Sequence, residues 1–194
     1  MDVVDVGPIL VNRENPVPAG YGDSIDIVNV EVEEGFSVPV EREAAQSYLQ
    51  MKRYFSALGV RFELLSGYRA RQTQERIWNE SVAEHGEAHT RCYVAQPGYS
   101  EHQTGLALDL TLYDAQGDRV EDDDIEAYGQ LFPHLHGFGF ILRYPAGKED
   151  VTGYPFEPWH IRYVGTEIAR EIYENDWTLE EYVSHVREKS GERR

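Results

Sequence analysis

Two separate segments of this 194-residue sequence contain side chains that could bind a metal ion and activate water. The first contains His102 and Asp109, and the second contains Glu157 and, three residues later, His160. A catalytic zinc site requires three protein ligands, an open position for water and a base that takes a proton from that water. The two histidines and Asp109 could serve as ligands, and Glu157 as the base. If the segments meet in space, they predict a metal-dependent hydrolase, although these ligand types also suit other divalent ions.

Strand alternation predicts the orientation of two of these side chains. Residues 105–113 alternate between leucines and small or polar residues, so the leucines should face the core. The leucines are Leu106, Leu108, Leu110 and Leu112. Asp109 then projects from the opposite face, where Gly105 and Ala107 leave room for an ion. His160 is expected on a later strand, where its side chain should point to the face opposite to that of its apolar neighbours Trp159 and Ile161.

The sequence also allows other roles for its histidines. A histidine and an aspartate on a strand often form a hydrogen-bonded pair that serves structure alone. His85 and His89 have the spacing of one helical turn, but Gly86 between them indicates a helix end. His134 and His136 flank a helix end that a proline disrupts. We therefore expect neither of these two pairs to bind a metal ion.

The apolar pattern along the chain predicts the elements that position the two segments. A helix with apolar residues at three- and four-residue steps should run from Ala44 to Leu58 and end at Gly59. A second helix should follow Arg69 and end near Gly86. Strands are expected at 60–65, 105–113, 138–142 and 156–164. A short helix around residues 125–132 should be disrupted by proline at its end.

These elements predict one α+β domain spanning residues 1–194, with a small, mainly antiparallel sheet flanked by helices. Residues 1–40 are rich in turn residues and are expected to be an extended N-terminal segment, and residues 41–194 the catalytic core. Thr178 and Glu181 form a capping box that should open the last helix. The sequence contains no internal repeat and no linker.

The composition excludes several classes of partner. Lys and Arg number 18 against 35 Asp and Glu, and the net charge of −17 argues against binding to nucleic acid or an anionic membrane. Cys92 is the only cysteine, so an intrachain disulfide is impossible. Residues 1–5 lack the basic and apolar parts of a secretory signal, and no apolar run could span a bilayer. The expected location is the cytoplasm, although a chain whose leader had been removed would look the same.

With their flanks, the two segments resemble the zinc D-alanyl-D-alanine carboxypeptidases of the VanY and VanXY type, in the lysostaphin, D-Ala-D-Ala peptidase and hedgehog fold group. The resemblance rests on Ser100-x-His102-x-x-Gly105-x-Ala107-x-Asp109 and Glu157-Pro158-Trp159-His160-x-Arg162-Tyr163. It extends to Ser66–Arg69, Gly139–Pro145 and Leu10–Pro16, and so covers most of the chain. It implies a hedgehog/D-Ala-D-Ala peptidase-like fold, with Zn²⁺ held by His102, Asp109 and His160 and with Glu157 as the catalytic base.

The same resemblance implies roles for three further residues. Arg69 would stabilise the oxyanion that forms when water attacks a peptide carbonyl. Gln74, at the start of a helix, and Ser100 would bind the terminal carboxylate of the substrate. An alternative for Arg69 is a purely structural pairing with one of the many acidic side chains.

The implied function is a zinc-dependent D,D-carboxypeptidase that removes the C-terminal D-Ala from peptidoglycan precursors ending in D-Ala-D-Ala. Soluble VanXY-like relatives also suggest hydrolysis of the free dipeptide and a role in glycopeptide resistance. The alternative is an L,D-carboxypeptidase that trims tetrapeptide stems. A hedgehog-type binding module is disfavoured by the presence of Glu157, and a wall-binding endolysin by the negative charge. The sequence does not determine the oligomeric state.

Overall fold

The computed structural model describes residues 8–33, 35–122 and 124–191. The strands in these ranges are β1 Ile27–Glu33, β2 Phe36–Glu41, β3 Arg61–Ser66, β4 Ala107–Tyr113, β5 Phe140–Leu142 and β6 His160–Tyr163. The α-helices are α1 Arg42–Ala57, α2 Arg71–His85, α3 Glu87–Tyr93, α4 Ile125–Gly129, α5 Phe132–Leu135, α6 Glu149–Thr152, α7 Thr166–Asn175 and α8 Leu179–Ser190. Short 3-10 helices span Tyr21–Asp23, Glu101–Thr104 and His136–Phe138. The expectation for the N-terminal signal concerns residues 1–5, which lie outside the described ranges.

The sheet that carries the candidate site has four strands in the order β3-β4-β6-β5, and each neighbouring pair is antiparallel. Strands β1 and β2 form a separate antiparallel hairpin. In the four-stranded sheet Asp109 on β4 lies directly opposite His160 on β6. The predicted α+β class with a small antiparallel sheet is confirmed.

The two faces of β4 have the environments that the alternation predicts. Leu108, Leu110 and Leu112 are buried in the main apolar cluster, where they pack with residues of α1 and the hairpin. Tyr48, Met51 and Phe55 are the large α1 side chains buried in this cluster. Burying a side chain of this size stabilises the fold by roughly 1.5–3 kcal/mol. The leucine face therefore anchors β4 and leaves Asp109 on the opposite face.

The predicted N-terminal segment contains the hairpin of β1 and β2 in addition to the expected turns, within its described residues. Val30 and Val38 of the hairpin belong to the same apolar cluster as β4, so this part of the chain packs into the core. The alternation of Val28, Val30 and Val32 in β1 was the signal for a strand. The Asn15–Pro16 and Ala19–Gly20 turns before it obscured that signal.

Several element boundaries also differ from the sequence-based expectation. The last strand of the chain begins at His160, so Glu157 lies in the preceding turn and not on a strand. Residues 136–138 form a 3-10 helix, and β5 begins only at Phe140. Pro133 lies in the first turn of α5, where a missing N–H costs nothing, so it starts a helix rather than breaking one. The predicted helices α1 and α2, and the Thr178 capping box of α8, are confirmed.

In the described ranges, every helix is too short or too polar to cross a membrane.

Gly105 joins the 3-10 helix at Glu101–Thr104 to β4, and its backbone touches the hairpin. Its φ is 73°, and a Cβ there would lie 2.8 Å from Ile27 Cδ1 and 3.1 Å from the Glu41 nitrogen. We expect Gly105→Ala to lower the free energy of unfolding by roughly 1–2 kcal/mol for the left-handed backbone. Crowding of the hairpin should add about 1–3 kcal/mol. Chemical denaturation measures the sum of these two losses in the free energy of unfolding.

Gly59→Ala is the matched control for this prediction. Gly59 has a similar φ of 81°, but nothing lies within 4 Å of a Cβ at that position. It should therefore show the backbone cost alone. Equal losses of stability in the two variants would contradict the close approach between Gly105 and the hairpin.

Candidate metal centre and active site

Three potential metal ligands, drawn from both sequence segments, converge on one point. The ligand atoms of His102, Asp109 and His160 all lie within 4.8 Å of one another. His102 Nε2 is 3.2 Å from Asp109 Oδ2, and His160 Nδ1 is 3.0 Å from Asp109 Oδ1. All three side chains are largely shielded from solvent. A single divalent ion could therefore contact one atom of each residue.

The sheet and one tight turn create this convergence. Asp109 and His160 are opposite neighbours on β4 and β6, so their side chains leave the sheet on the same face. His102 approaches from the 3-10 helix at Glu101–Thr104, which Gly105 connects directly to β4. A seven-residue separation along the chain thus becomes a short distance in space.

Backbone carbonyls orient His102. Its Nδ1 lies 2.7 Å from the Gly67 carbonyl oxygen, and because a carbonyl only accepts, Nδ1 must carry the proton. Nε2 is then left with a free lone pair directed toward Asp109. The Arg69 amide also donates to the His102 carbonyl at 2.9 Å, which ties the Arg69 loop to the site. A Cβ on Gly67 would collide with the Pro39 carbonyl, so only glycine fits there.

The charges at this point favour a cation. Burial alone would lower the pKa of His160, but hydrogen bonding to Asp109 and the nearby carboxylates of Glu101 and Glu157 raise it to about 9. The same anionic surroundings that hold a proton on His160 would attract a divalent metal ion in its place. Two imidazoles and one carboxylate with an open side match the donor set of a catalytic zinc site.

Glu157 lies beside the three candidate ligands. Its Oε2 is 3.8 Å from His160 Nδ1, and its backbone amide donates to the Tyr144 carbonyl at 3.2 Å. Burial raises the pKa of Glu157 to about 7, and the charges of Asp109 and Glu101 act in the same direction, against the opposing effect of His160. A carboxylate with such a pKa can both accept and return a proton near neutral pH.

Arg69 and Gln74 form one hydrogen-bonded unit at the wall of the site. Arg69 Nη1 donates to Gln74 Oε1 at 2.9 Å, and Nη2 donates to Ser66 Oγ at 3.1 Å. Gln74 Nε2 donates to the Ala95 carbonyl at 2.8 Å, so the buried amide is held at both ends. Burial lowers the pKa of Arg69, and the charge of Asp109 opposes that shift. Gln74 therefore orients Arg69 in this structure.

One cavity contains all the predicted site residues. It has a volume of about 220 Å³ and is lined by Arg69, Gln74, Ser100, His102, Asp109, Glu157 and His160, with Tyr144, Tyr154 and Trp159 among its walls. The ring centroid of Tyr144 lies 4.9 Å from that of His160 and 4.8 Å from that of Tyr154, and both pairs of rings are tilted relative to each other. The cavity thus has a charged floor and aromatic walls, an arrangement suited to the polar end of a short peptide.

Four charged residues to which the sequence motifs give no role form a cluster beside the site, and one of them, Glu101, lines the cavity. Glu101 Oε1 accepts from Arg143 Nε at 2.8 Å and from Arg162 Nη1 at 2.6 Å, and Arg143 also forms a two-pronged pair with Glu180. Both arginines are fully buried. Burial would raise the pKa of Glu101, but the two arginines outweigh it and hold that pKa well below its usual range. Arginines within otherwise apolar strand segments were the available sequence signal.

The two alternative histidine pairs do not form comparable sites. The rings of His85 and His89 lie 4.8 Å apart, on α2 and α3, but among the described residues only His102, Asp109 and His160 form a group of three potential ligands. His136 stacks on Tyr173 with ring centroids 4.2 Å apart, and His134 packs against Tyr54 and Phe55. These contacts are aromatic packing.

A comparison with known protein families agrees with this site. The family model described as VanY, D-alanyl-D-alanine carboxypeptidase, matches residues 37–166, which include every candidate site residue. The chain belongs to the VanY family. The relative VanXYC of Enterococcus gallinarum, a bifunctional D-Ala-D-Ala dipeptidase and carboxypeptidase, is 42% identical over 147 residues, which cover 71% of this chain and 75% of that protein. Three further relatives are longer, and the chain spans 67%, 65% and 58% of their lengths.

Two solved structures are similar over most of this chain. A glutamate-to-alanine mutant of the D,D-pentapeptidase VanY from a VanB-type resistance cassette, in complex with Zn(II), has a TM-score of 0.79 and 36% identity and covers 90% of this chain and 97% of its own. The LD-carboxypeptidase LdcB also has a TM-score of 0.79 and 36% identity, and covers 90% of this chain and 84% of its own. The similar solved structures thus include an L,D-carboxypeptidase, whereas the family model and the VanXYC relative are both described as D-Ala-D-Ala carboxypeptidases.

Proposed function

We propose that this protein is a zinc metallopeptidase that removes the C-terminal D-Ala from peptidoglycan peptides ending in D-Ala-D-Ala. The observation that carries the proposal is the convergence of His102, Asp109 and His160 on one point, with Glu157 and Arg69 in the same cavity. Family membership supports the reaction, and the zinc complex of the VanY relative supports the metal.

His102, Asp109 and His160 would hold the zinc ion, through Nε2, a carboxylate oxygen and Nδ1 respectively. A zinc ion in this position supplies Lewis-acid polarisation of a peptide carbonyl and makes water more acidic. The Gly67 carbonyl keeps His102 in the tautomer that leaves Nε2 free.

Glu157 takes the proton from the attacking water and returns it to the leaving amine of D-Ala. Its position beside His160 and the burial that raises its pKa suit both transfers. The turn directly before β6 holds Glu157 at the cavity wall, and the backbone amide of Glu157 donates to the Tyr144 carbonyl.

Arg69 stabilises the negative charge that develops on the peptide oxygen. Gln74 and Ser66 hold two of its nitrogens, so the guanidinium is oriented before the substrate arrives. Ser100, which is buried and lines the cavity, binds the substrate carboxylate. Gln74 can assist with its remaining amide hydrogen while it continues to accept from Arg69.

A second cavity supports an extended peptide as the preferred substrate. It has a volume of about 170 Å³ and adjoins the first, since Val94 and Tyr154 line both. Arg13 lies over the Tyr154 ring, with its guanidinium carbon 4.4 Å from the ring centre, and Trp78 and Tyr99 add aromatic walls. A free dipeptide leaves this second cavity empty, whereas the stem of a longer peptide can enter it.

A substrate panel tests the proposal. We expect zinc-dependent release of D-Ala from a pentapeptide ending in D-Ala-D-Ala, with a lower kcat/KM for the free dipeptide because remote contacts are lost. Chelation should abolish release, and added zinc should restore it. Release from a tetrapeptide stem alone would make the protein an L,D-carboxypeptidase, as in LdcB. Zinc-loaded protein inert on all three substrates would exclude a peptidase function.

A further inference from the structure

The strongest unexplained feature next to the site is a pair of buried polar atoms without partners. Among the described residues, Glu101 Oε2 and His160 Nε2 are both buried and have no hydrogen-bond partner. They lie 3.6 Å apart, just beyond hydrogen-bonding distance. A buried polar atom without a hydrogen-bond partner destabilises a fold, so the position of these two atoms side by side requires a physical explanation.

The arginine contacts of Glu101 explain why one oxygen is left free. Arg143 and Arg162 both donate to Oε1, at 2.8 and 2.6 Å, and neither contacts Oε2. The remaining two nitrogens of Arg143 are bonded to Glu180. The buried ion cluster is therefore held through Oε1 alone, and Oε2 faces His160.

The two candidate histidine ligands face the metal position with different nitrogens. His102 presents Nε2, because its Nδ1 donates to the Gly67 carbonyl. His160 presents Nδ1 toward Asp109, so a metal ion bound there leaves the only proton of the ring on Nε2. That proton points toward Glu101 Oε2.

We propose that Glu101 is the positioning residue of the metal centre: its Oε2 accepts the Nε2 proton of His160 and thereby fixes the tautomer that presents Nδ1 to the metal. The inference rests on the proposed metal site. A movement of roughly 0.5 Å closes the gap between the two atoms. Arg143 and Arg162 hold the carboxylate in place, so that Glu101 does for His160 what the Gly67 carbonyl does for His102.

Glu101→Gln should invert this hydrogen bond. The arginines require an acceptor at the Oε1 position, so the side-chain NH2 group must take the position of Oε2 and face His160 Nε2. A donor at that place favours the opposite tautomer, in which Nδ1 carries the proton and cannot bind a metal ion. Substitution of such supporting groups typically weakens metal binding by 10–100-fold. We therefore expect the zinc dissociation constant to rise by about 10–100-fold.

Glu180→Gln is the matched control, since it removes a carboxylate from the same arginine cluster without facing His160. It should lower the melting temperature but leave zinc affinity unchanged. If Glu101→Gln does not fold, Glu101→Asp keeps the charge beside the arginines and withdraws the carboxylate from His160, and the same loss of affinity is expected. Equal zinc affinity in wild type and a folded Glu101 variant overturns the inference, whereas wild-type protein that binds no zinc overturns the metal site itself.

Nitrogen NMR of the zinc-loaded wild type supplies a readout independent of activity and of any variant. Long-range proton–nitrogen spectra distinguish the two ring nitrogens of each histidine. We expect one zinc-bound histidine coordinated through Nε2 and a second coordinated through Nδ1, the latter with a slowly exchanging Nε2 proton. Coordination of both histidines through Nε2, or rapid exchange of that proton, contradicts the role of Glu101.

Discussion

Asp109→Ala should abolish both zinc binding and peptide hydrolysis. Asp109 is the central member of the candidate triad, since its two oxygens contact His102 Nε2 at 3.2 Å and His160 Nδ1 at 3.0 Å. Without this carboxylate the metal ion would lose the anionic member of its three candidate ligands, and only the two imidazoles would remain. We expect the zinc dissociation constant to rise by more than about 100-fold, beyond the effect of losing a supporting group. Titration with zinc against a competing chelator measures this change.

Thr111→Ala is the appropriate control for Asp109→Ala. Thr111 lies two residues along β4 on the same face, it is buried, and its hydroxyl has no hydrogen-bond partner among the described residues. The control should bind zinc like the wild type. Retention of tight zinc binding by Asp109→Ala would exclude the proposed triad, and equal losses in both variants would indicate damage to the strand instead.

Glu157→Ala should separate metal binding from catalysis. Glu157 is not a member of the ligand triad, so zinc affinity should be unchanged. General acid–base catalysis contributes typically 10²–10⁴-fold, and kcat should fall by about that factor. Because burial raises the pKa of Glu157, the ionised side chain is held away from the water it prefers, and its removal should not destabilise the fold.

Single-turnover release of D-Ala, measured on zinc-saturated protein, tests this prediction. Glu167→Ala changes an exposed glutamate of α7 that does not line the cavity, and it should retain wild-type kcat. Full activity of Glu157→Ala would assign the proton transfer to another group. Loss of zinc together with activity would instead make Glu157 a ligand.

Much of the local structure around the site follows from sequence patterns. The leucine alternation of residues 106–112 orients Asp109, because a strand with one buried face must direct alternate side chains away from it. The apolar period of α1, ending at Gly59, and the Thr178 capping box are equally local signals. The hairpin of β1 and β2 was missed because turn residues before it obscured a short run of alternating valines.

By itself, the sequence determined which residue types are available: two histidines, an aspartate, a glutamate and an arginine within motifs that resemble one peptidase family. The tertiary structure decided which of their atoms meet. Antiparallel register sets Asp109 opposite His160, and the backbone carbonyl of Gly67 selects the nitrogen that His102 presents. The role inferred for Glu101 depends on contacts with Arg143 and Arg162, 42 and 61 residues away. Such long-range pairing has no local periodicity, so only the folded chain reveals it.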